Sequence, residues 1–226
     1  MTQQRGKMLF RAAVLSVGIS LAAVQSAQAT IILTATVNGI IICASDNNVG
    51  CVFGLVLTDT DATPGRLAIA RDGVIVGNVL ITGALSIATL APPVNTLGTS
   101  SLSIRNTTQL PATITLAISA TGFQGPTTQM FAAGSGLWQT AEGSEIQLSW
   151  YHDPANSQGA ENPLDRPGTE LTTFDDSAKK DLLEAFATDS HHKAILDAPF
   201  SMTLGVDMTL VGGGTLVGLG QAVGSE

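Results

Sequence analysis

Apolar and polar residues alternate along "PFSMTLGVDMTLV": Phe200, Met202, Leu204, Val206, Met208 and Leu210 occupy one phase, and Ser201, Thr203, Asp207 and Thr209 the other. Successive side chains of a strand point to opposite faces of a sheet. A period of two sustained over this length therefore predicts a strand with one buried and one wet face. The same phase recurs in "ATITLAISA", where Ile114, Leu116 and Ile118 oppose Thr113, Thr115 and Ser119, and in "EIQLSW", where Ile146, Leu148 and Trp150 oppose Glu145, Gln147 and Ser149. Further strands are expected at 66–70, 74–81, 84–90 and 97–105, with "RDG" at 71–73 as a tight turn between the first two. Strands with one apolar face need a second sheet to cover it. The expected fold class is all-β: a two-sheet antiparallel β-sandwich, Ig-like or jelly-roll.

One segment departs from this period. In "FDDSAKKDLLEAFATD", Asp175 or Asp176 offers an N-cap, and Ala178, Leu182, Leu183, Ala185 and Phe186 follow at helical spacing. This predicts one inserted short helix of about three turns, packed on the sandwich by its apolar stripe. Ahead of all strands, residues 1–29 combine Arg5, Lys7 and Arg11 with an apolar run at 12–24 and the small-residue exit Ala27-Gln28-Ala29. That is the pattern of a cleaved signal peptide, leaving a single β-sandwich domain at 30–226. The apolar run is shorter than the roughly 20 residues that span a bilayer, so no transmembrane segment is expected in the mature chain. The expected location is secreted, periplasmic or on the cell surface.

An oxidising compartment changes how the two cysteines read. Cys43 and Cys51 enclose "ASDNNVG" between the apolar runs "TIILTATVNGIII" and "VFGLVLTD". The spacing predicts a structural disulfide across the end of a hairpin, since the two-residue separation of a redox-active pair is missing. Without residues 1–29 the chain keeps seven Lys and Arg against 18 Asp and Glu, a net charge of −11 with histidines neutral. Such a balance disfavours nucleic acid, whose phosphates require clustered bases.

Candidate chemistry concentrates in "SWYHDPANSQGAENPLDRPG", residues 149–168. Tyr151, His152, Asp153, Asn156, Glu161 and Asp165 form the candidate ligand or loop site of the chain. Its turn-forming Asn, Gly and Pro residues favour a solvent loop, because such side chains turn the chain whether or not a ligand is present. No cofactor is expected. Calcium is the ion the composition leaves open, with oxygens also available at 45–48 and 59–63; "DPANSQGAE" lacks the register of a hand-type loop. A zinc site needs three or four ligands; with the cysteines read as a disulfide, and His191 and His192 in the polar stretch "TDSHHKA" where solvated loop residues are expected, these two and His152 do not predict one. Nucleophile, zinc-peptidase and phosphate-loop motifs are absent, and aromatic residues are 4% of the chain, which argues against a sugar-cleaving cleft lined with rings.

The order of "SLSIRNTTQLPATITLAIS", "GSGLWQTAEGSEIQLSWYHDPANSQGAENPLDRPGTEL" and "APFSMTLGVDMTLVGGGTL" resembles a group of uncharacterised exported bacterial proteins, some of which carry a PEP-CTERM sorting tag. The similarity covers residues 97–217. It implies a secreted β-sandwich and brings no catalytic residues with it. This chain departs from the tagged members by ending in "GQAVGSE". Three function classes follow. The first is a noncatalytic structural or interaction protein with an extracellular matrix, envelope or glycan partner. The second is a carbohydrate- or calcium-dependent binding module, and the third a secreted hydrolase using Asp153, Glu161 or His152.

Overall fold

The computed structural model describes residues 30–46, 50–51, 54–69, 72–91, 94–180, 182–197 and 199–225. The expected signal peptide at 1–29 lies outside them. Eight long strands follow one another from residue 94: β8 (Val94–Asn106), β9 (Ala112–Phe123), β10 (Thr127–Gln139), β11 (Glu145–Asp153), β12 (Thr169–Ser177), β13 (Glu184–Leu196), β14 (Phe200–Leu210) and β15 (Thr215–Ser225). Shorter strands precede them: β1 (Ile31–Val37), β2 (Ile40–Ser45), β3 (Leu55–Val56), β4 (Arg66–Ile69), β5 (Val74–Val76), β6 (Val79–Thr82) and β7 (Ala84–Ala91).

These strands form two sheets. Sheet A has the order β12-β11-β14-β9-β1-β2-β3, and sheet B the order β13-β10-β15-β8-β6-β5, with β7 also paired to β8 and β4 to β7. Within this order the last eight strands cross between sheets at every connection except the β11–β12 hairpin, β8-β15-β10-β13 facing β9-β14-β11-β12. That is the double Greek key of a jelly roll, which decides between the two sandwich types the sequence allows. The first seven strands widen both sheets on the side of β8 and β9.

The apolar phases lie between the sheets as the sequence predicts, but the opposite face is wet only in part, since Ser119, Ser149, Ser201 and Thr203 are buried as well. Leu116, Val206 and Leu148 sit side by side on β9, β14 and β11 and are buried between the sheets. Trp150 is buried as the same alternation requires. It reaches sheet B opposite Gly134, where an added Cβ would stand 2.6 Å from Leu148 Cδ1 and 3.1 Å from Trp150 Cζ2. A side chain at Gly134 would thus hold the two sheets apart. At the β12 and β13 side, Trp138 and Phe174 both pack on Phe186, with ring centroids 5.8 and 6.0 Å apart. Trp138 donates its indole N–H to Asp176 at 2.7 Å, so the buried ring keeps its hydrogen bond.

Three sequence expectations need correction. The first is the helix. Asp175 and Asp176 belong to β12, residues 184–189 to β13, and no α-helix occurs among the described residues. The helical stripe is not a buried stripe, because Leu182 and Leu183 are exposed at 69% and 66% while only Ala178 and Phe186 reach the core. Strand β13 escapes a period-two reading because its inward positions 188, 190 and 192 carry Thr, Ser and His between the apolar Phe186 and Leu196. The second correction concerns the cysteines. The Cys43–Cys51 bond is present, yet β3 returns parallel to β2, pairing Ile42 with Leu55, so the bond does not close a hairpin. The third is the "RDG" turn. Strand β4 pairs with β7 instead of β5, and 74–81 divides into β5 and β6 about the turn at Gly77 and Asn78, where Gly77 has φ +59°. Arg71 lies outside the described residues.

Candidate functional site

The outer face of sheet A carries a row of small side chains. Ser149, Gly205, Ala117, Thr34 and Cys43 pair in succession across β11, β14, β9, β1 and β2. Such a row leaves a shallow trough on a pleated surface. Residues 154–168, which join β11 to β12, fold back and lie in it. Ala160 joins Ile32, Cys43 and Ala117, with Cys51 packed against them, in a second small core on the outside of the sheet. The disulfide is therefore part of the floor on which the loop rests.

Arg166 fixes the other end of the loop. Its Nη1 donates to Asp207 Oδ2 at 2.7 Å and to Ser149 Oγ at 3.2 Å, and its Nη2 to Leu116 O at 3.4 Å. The Arg166 side chain is only 10% exposed. Gly205 makes this approach possible: a Cβ there would meet Arg166 Cζ at 2.6 Å and Ser149 Oγ at 2.4 Å. The sequence reading misses Arg166. Its signal was present, since it is the one base in an acidic loop and Asp207 is the one charged residue on the polar phase of β14.

The predicted site residues come together along this loop, mostly as its internal staples. Asp153 is buried and accepts from the backbone N–H of Ala155 at 2.9 Å and of Ser157 at 3.0 Å. Asn156 accepts from Gly122 N–H at 2.8 Å, and Asp165 from Glu161 N–H at 3.1 Å. Tyr151 faces outward and donates to Glu170 at 3.0 Å, while the Glu161 side chain is exposed. His152 has the opposite phase and points between the sheets, half-buried. The loop is thus a built cover on sheet A and not a free solvent loop, because its backbone donors are satisfied by its own carboxylates and by Ser119.

Two of these groups have shifted pKa values. Burial works against ionisation of Asp153, but its hydrogen bonds from Ser157 and Ala155, with His152 nearby, outweigh it and hold the carboxyl below its ordinary value. Burial lowers His152, and the Asp153 charge opposes this only in part. Both shifts place the lost stability on the acid side. A lowered imidazole contributes stability that is complete above its unfolded value near 6.5 and declines as pH falls below it. A lowered carboxyl contributes stability present above its unfolded value and lost as pH falls through its folded one. Thermal midpoints of the wild type should therefore fall below about pH 6.5 and again below about pH 4. In His152→Gln the upper step should vanish, and Asp153→Ala should cost about 1–2 kcal/mol at pH 7 and less at pH 3.

Beyond Arg166 the same face stays open. A groove of about 690 Å³ runs across β9, β14, β11 and β12, lined by Thr113, Thr115, Glu145, Gln147, Asp175, Lys179, Asp207 and Thr209. Gln147 donates to Asp175 Oδ1 at 2.8 Å, which fixes both side chains. Among the described residues no three His, Cys, Asp or Glu side chains converge as a metal site would require. His191 and His192 lie on β13 in sheet B, apart from His152 in sheet A. At 59–63, Asp59 accepts from Asp61 N–H at 2.9 Å and Asp61 pairs with Arg66 at 3.1 Å, so these oxygens serve the local turn.

No family model matches the chain, and no curated protein matches it. Solved structures share only loose overlap with it. TmCBM61 in complex with β-1,4-galactotriose is 10% identical at a TM-score of 0.29, over 55% of this chain and 88% of that one. An isomalto-dextranase of Arthrobacter globiformis T6 with panose is 12% identical at a TM-score of 0.24, over 70% of this chain and 23% of the enzyme. The infectious bursal disease virus Gx strain structure is 14% identical at a TM-score of 0.29, over 90% of this chain and 53% of that one. Overlaps this loose decide nothing about function, and the fold assignment rests on the strand order itself.

Proposed function

We propose that this chain is a noncatalytic, exported binding module that takes a glycan in the groove on sheet A. The observation that carries this reading is the groove's lining. Threonine hydroxyls and the Gln147 amide both donate and accept, Glu145, Asp175 and Asp207 accept, and Lys179 donates. Sugar hydroxyls are donors and acceptors at once, so a fixed mixture of both on a flat sheet face matches a chain of them. The groove holds no aromatic side chain, which assigns recognition to hydrogen bonds in place of ring stacking. Two of its carboxylates, Asp207 and Asp175, already accept from Arg166 and Gln147 and are positioned by these bonds. The groove is open along the sheet. A ligand there stays wetted on one side, which suits recognition better than chemistry that must exclude water. The Cys43–Cys51 bond supports a place outside the reducing cytoplasm.

A glycan array followed by calorimetry tests the reading. The wild type should retain one class of polysaccharide with or without chelator. Gln147→Ala and Thr115→Ala should each weaken binding several-fold, and together at least about tenfold, with the melting temperature unchanged. A wild type that retains no glycan, or retention that ignores both substitutions, overturns it.

A further inference from the structure

Sheet edges expose unpaired backbone donors and acceptors, and proteins blunt them with short edge strands, charged residues, bulges or proline. Most edges here follow that rule. Strands β3, β5 and β4 have two, three and four residues. Edge strand β12 is longer, but it carries Glu170, Asp175 and Asp176 and no base, so a second copy of it would be repelled. Strand β13 is the least protected of them, its register against β10 shifting only between Lys193 and Leu196. It is 13 residues long, forms the outer edge of sheet B beyond β10, and contains no proline.

Its charges are arranged symmetrically. Asp189 and Lys193 are both exposed and stand equally far on either side of His191. We infer that β13 is a homodimer interface, pairing antiparallel with β13 of a second copy about a two-fold axis through His191. Over the regular stretch that ends at Lys193, every residue then faces the one equally distant on the far side of His191. Asp189 meets Lys193 of the second copy, and by symmetry the pair forms twice. Ile195, 72% exposed in one copy, comes to lie near Ala187 of the other. On the inner face Phe186 and Leu196, both buried at the core's edge, flank the pair and bring apolar surface to the seam. The two-fold stands perpendicular to the sheet and keeps inner faces inward and outer faces outward, which joins the two B sheets into one. A chain with a net charge of −8 needs such local complementarity to associate with itself. Directly opposed unlike charges across an antiparallel pair favour it, and like charges oppose it.

Sedimentation velocity across the micromolar range tests this with charge reversals. The wild type should sediment as a dimer. Lys193→Asp and Asp189→Lys each turn both pairs into like charges, and each should weaken the dimer at least about tenfold. The double variant Asp189→Lys/Lys193→Asp rebuilds the pairs in reverse and should recover the dimer. Both positions are exposed, so all three variants should keep the wild-type circular dichroism. A monomeric wild type, single reversals that leave the dimer intact, or a double variant as dissociated as the single ones would each overturn the proposal.

Discussion

Val206→Asp is expected to leave little folded protein at 37 °C. Val206 is 1% exposed, at the centre of β14, between Leu148 on β11 and Leu116 on β9. Removing its apolar surface from the core costs about 1.5–3 kcal/mol. The carboxyl that replaces it finds no donor among these aliphatic neighbours, which adds several kcal/mol more. The sum approaches the roughly 5–15 kcal/mol that separates native from unfolded chains. Thr209 is three residues further on, exposed and opposite Glu145 on β11. Thr209→Lys should change stability by no more than about 0.5 kcal/mol. Urea unfolding of the two variants measures the difference. Equal losses would mean that β14 lacks the phase assigned to it.

Gly205→Ala is the second large effect, and it should depend on Arg166. In the wild type the new methyl occupies the place of the guanidinium, so Arg166 must leave Asp207, Ser149 and the Leu116 carbonyl. The Asp207 side chain is 36% exposed, and water replaces part of what it loses. The remaining cost comes from desolvated partners on the covered sheet and from the loosened loop, about 2–3 kcal/mol in all. Arg166→Ala should cost about as much. The informative measurement is the double variant: with no guanidinium to displace, only the Ser149 hydroxyl, which the new methyl also crowds, still has to turn away, so the alanine at 205 should add clearly less to Arg166→Ala than it costs alone. Hydrogen exchange should also show faster opening of residues 154–168 in each variant. Additive losses would mean that Gly205 matters to the strand alone and that Arg166 does not rest on it.

What the sequence by itself determined is the part governed by local period and by short range. Strands β9, β11 and β14 were legible because their phases are uninterrupted, and one face of each must be buried. Trp150 was assigned to the core by the same phase, and the Cys43–Cys51 bond by the isolation of the pair. What only the tertiary structure decided depends on neighbours remote in the chain. Strand β13 carries Thr188, Ser190 and His192 inward between Phe186 and Leu196, and Phe186 meets Trp138 and Phe174 only in the folded sandwich, so its own sequence shows no period of two. The direction of β3 and the partner of β4 follow from which edges the jelly roll leaves free, and no turn signal encodes that. The candidate loop showed its polar residues but not their use. Asp153 and Asp165 face their own backbone, and Arg166 meets Asp207 across 41 residues of sequence. The polar groove likewise exists only where β9, β14, β11 and β12 are laid side by side, since each strand contributes two or three of its residues and none carries a motif alone.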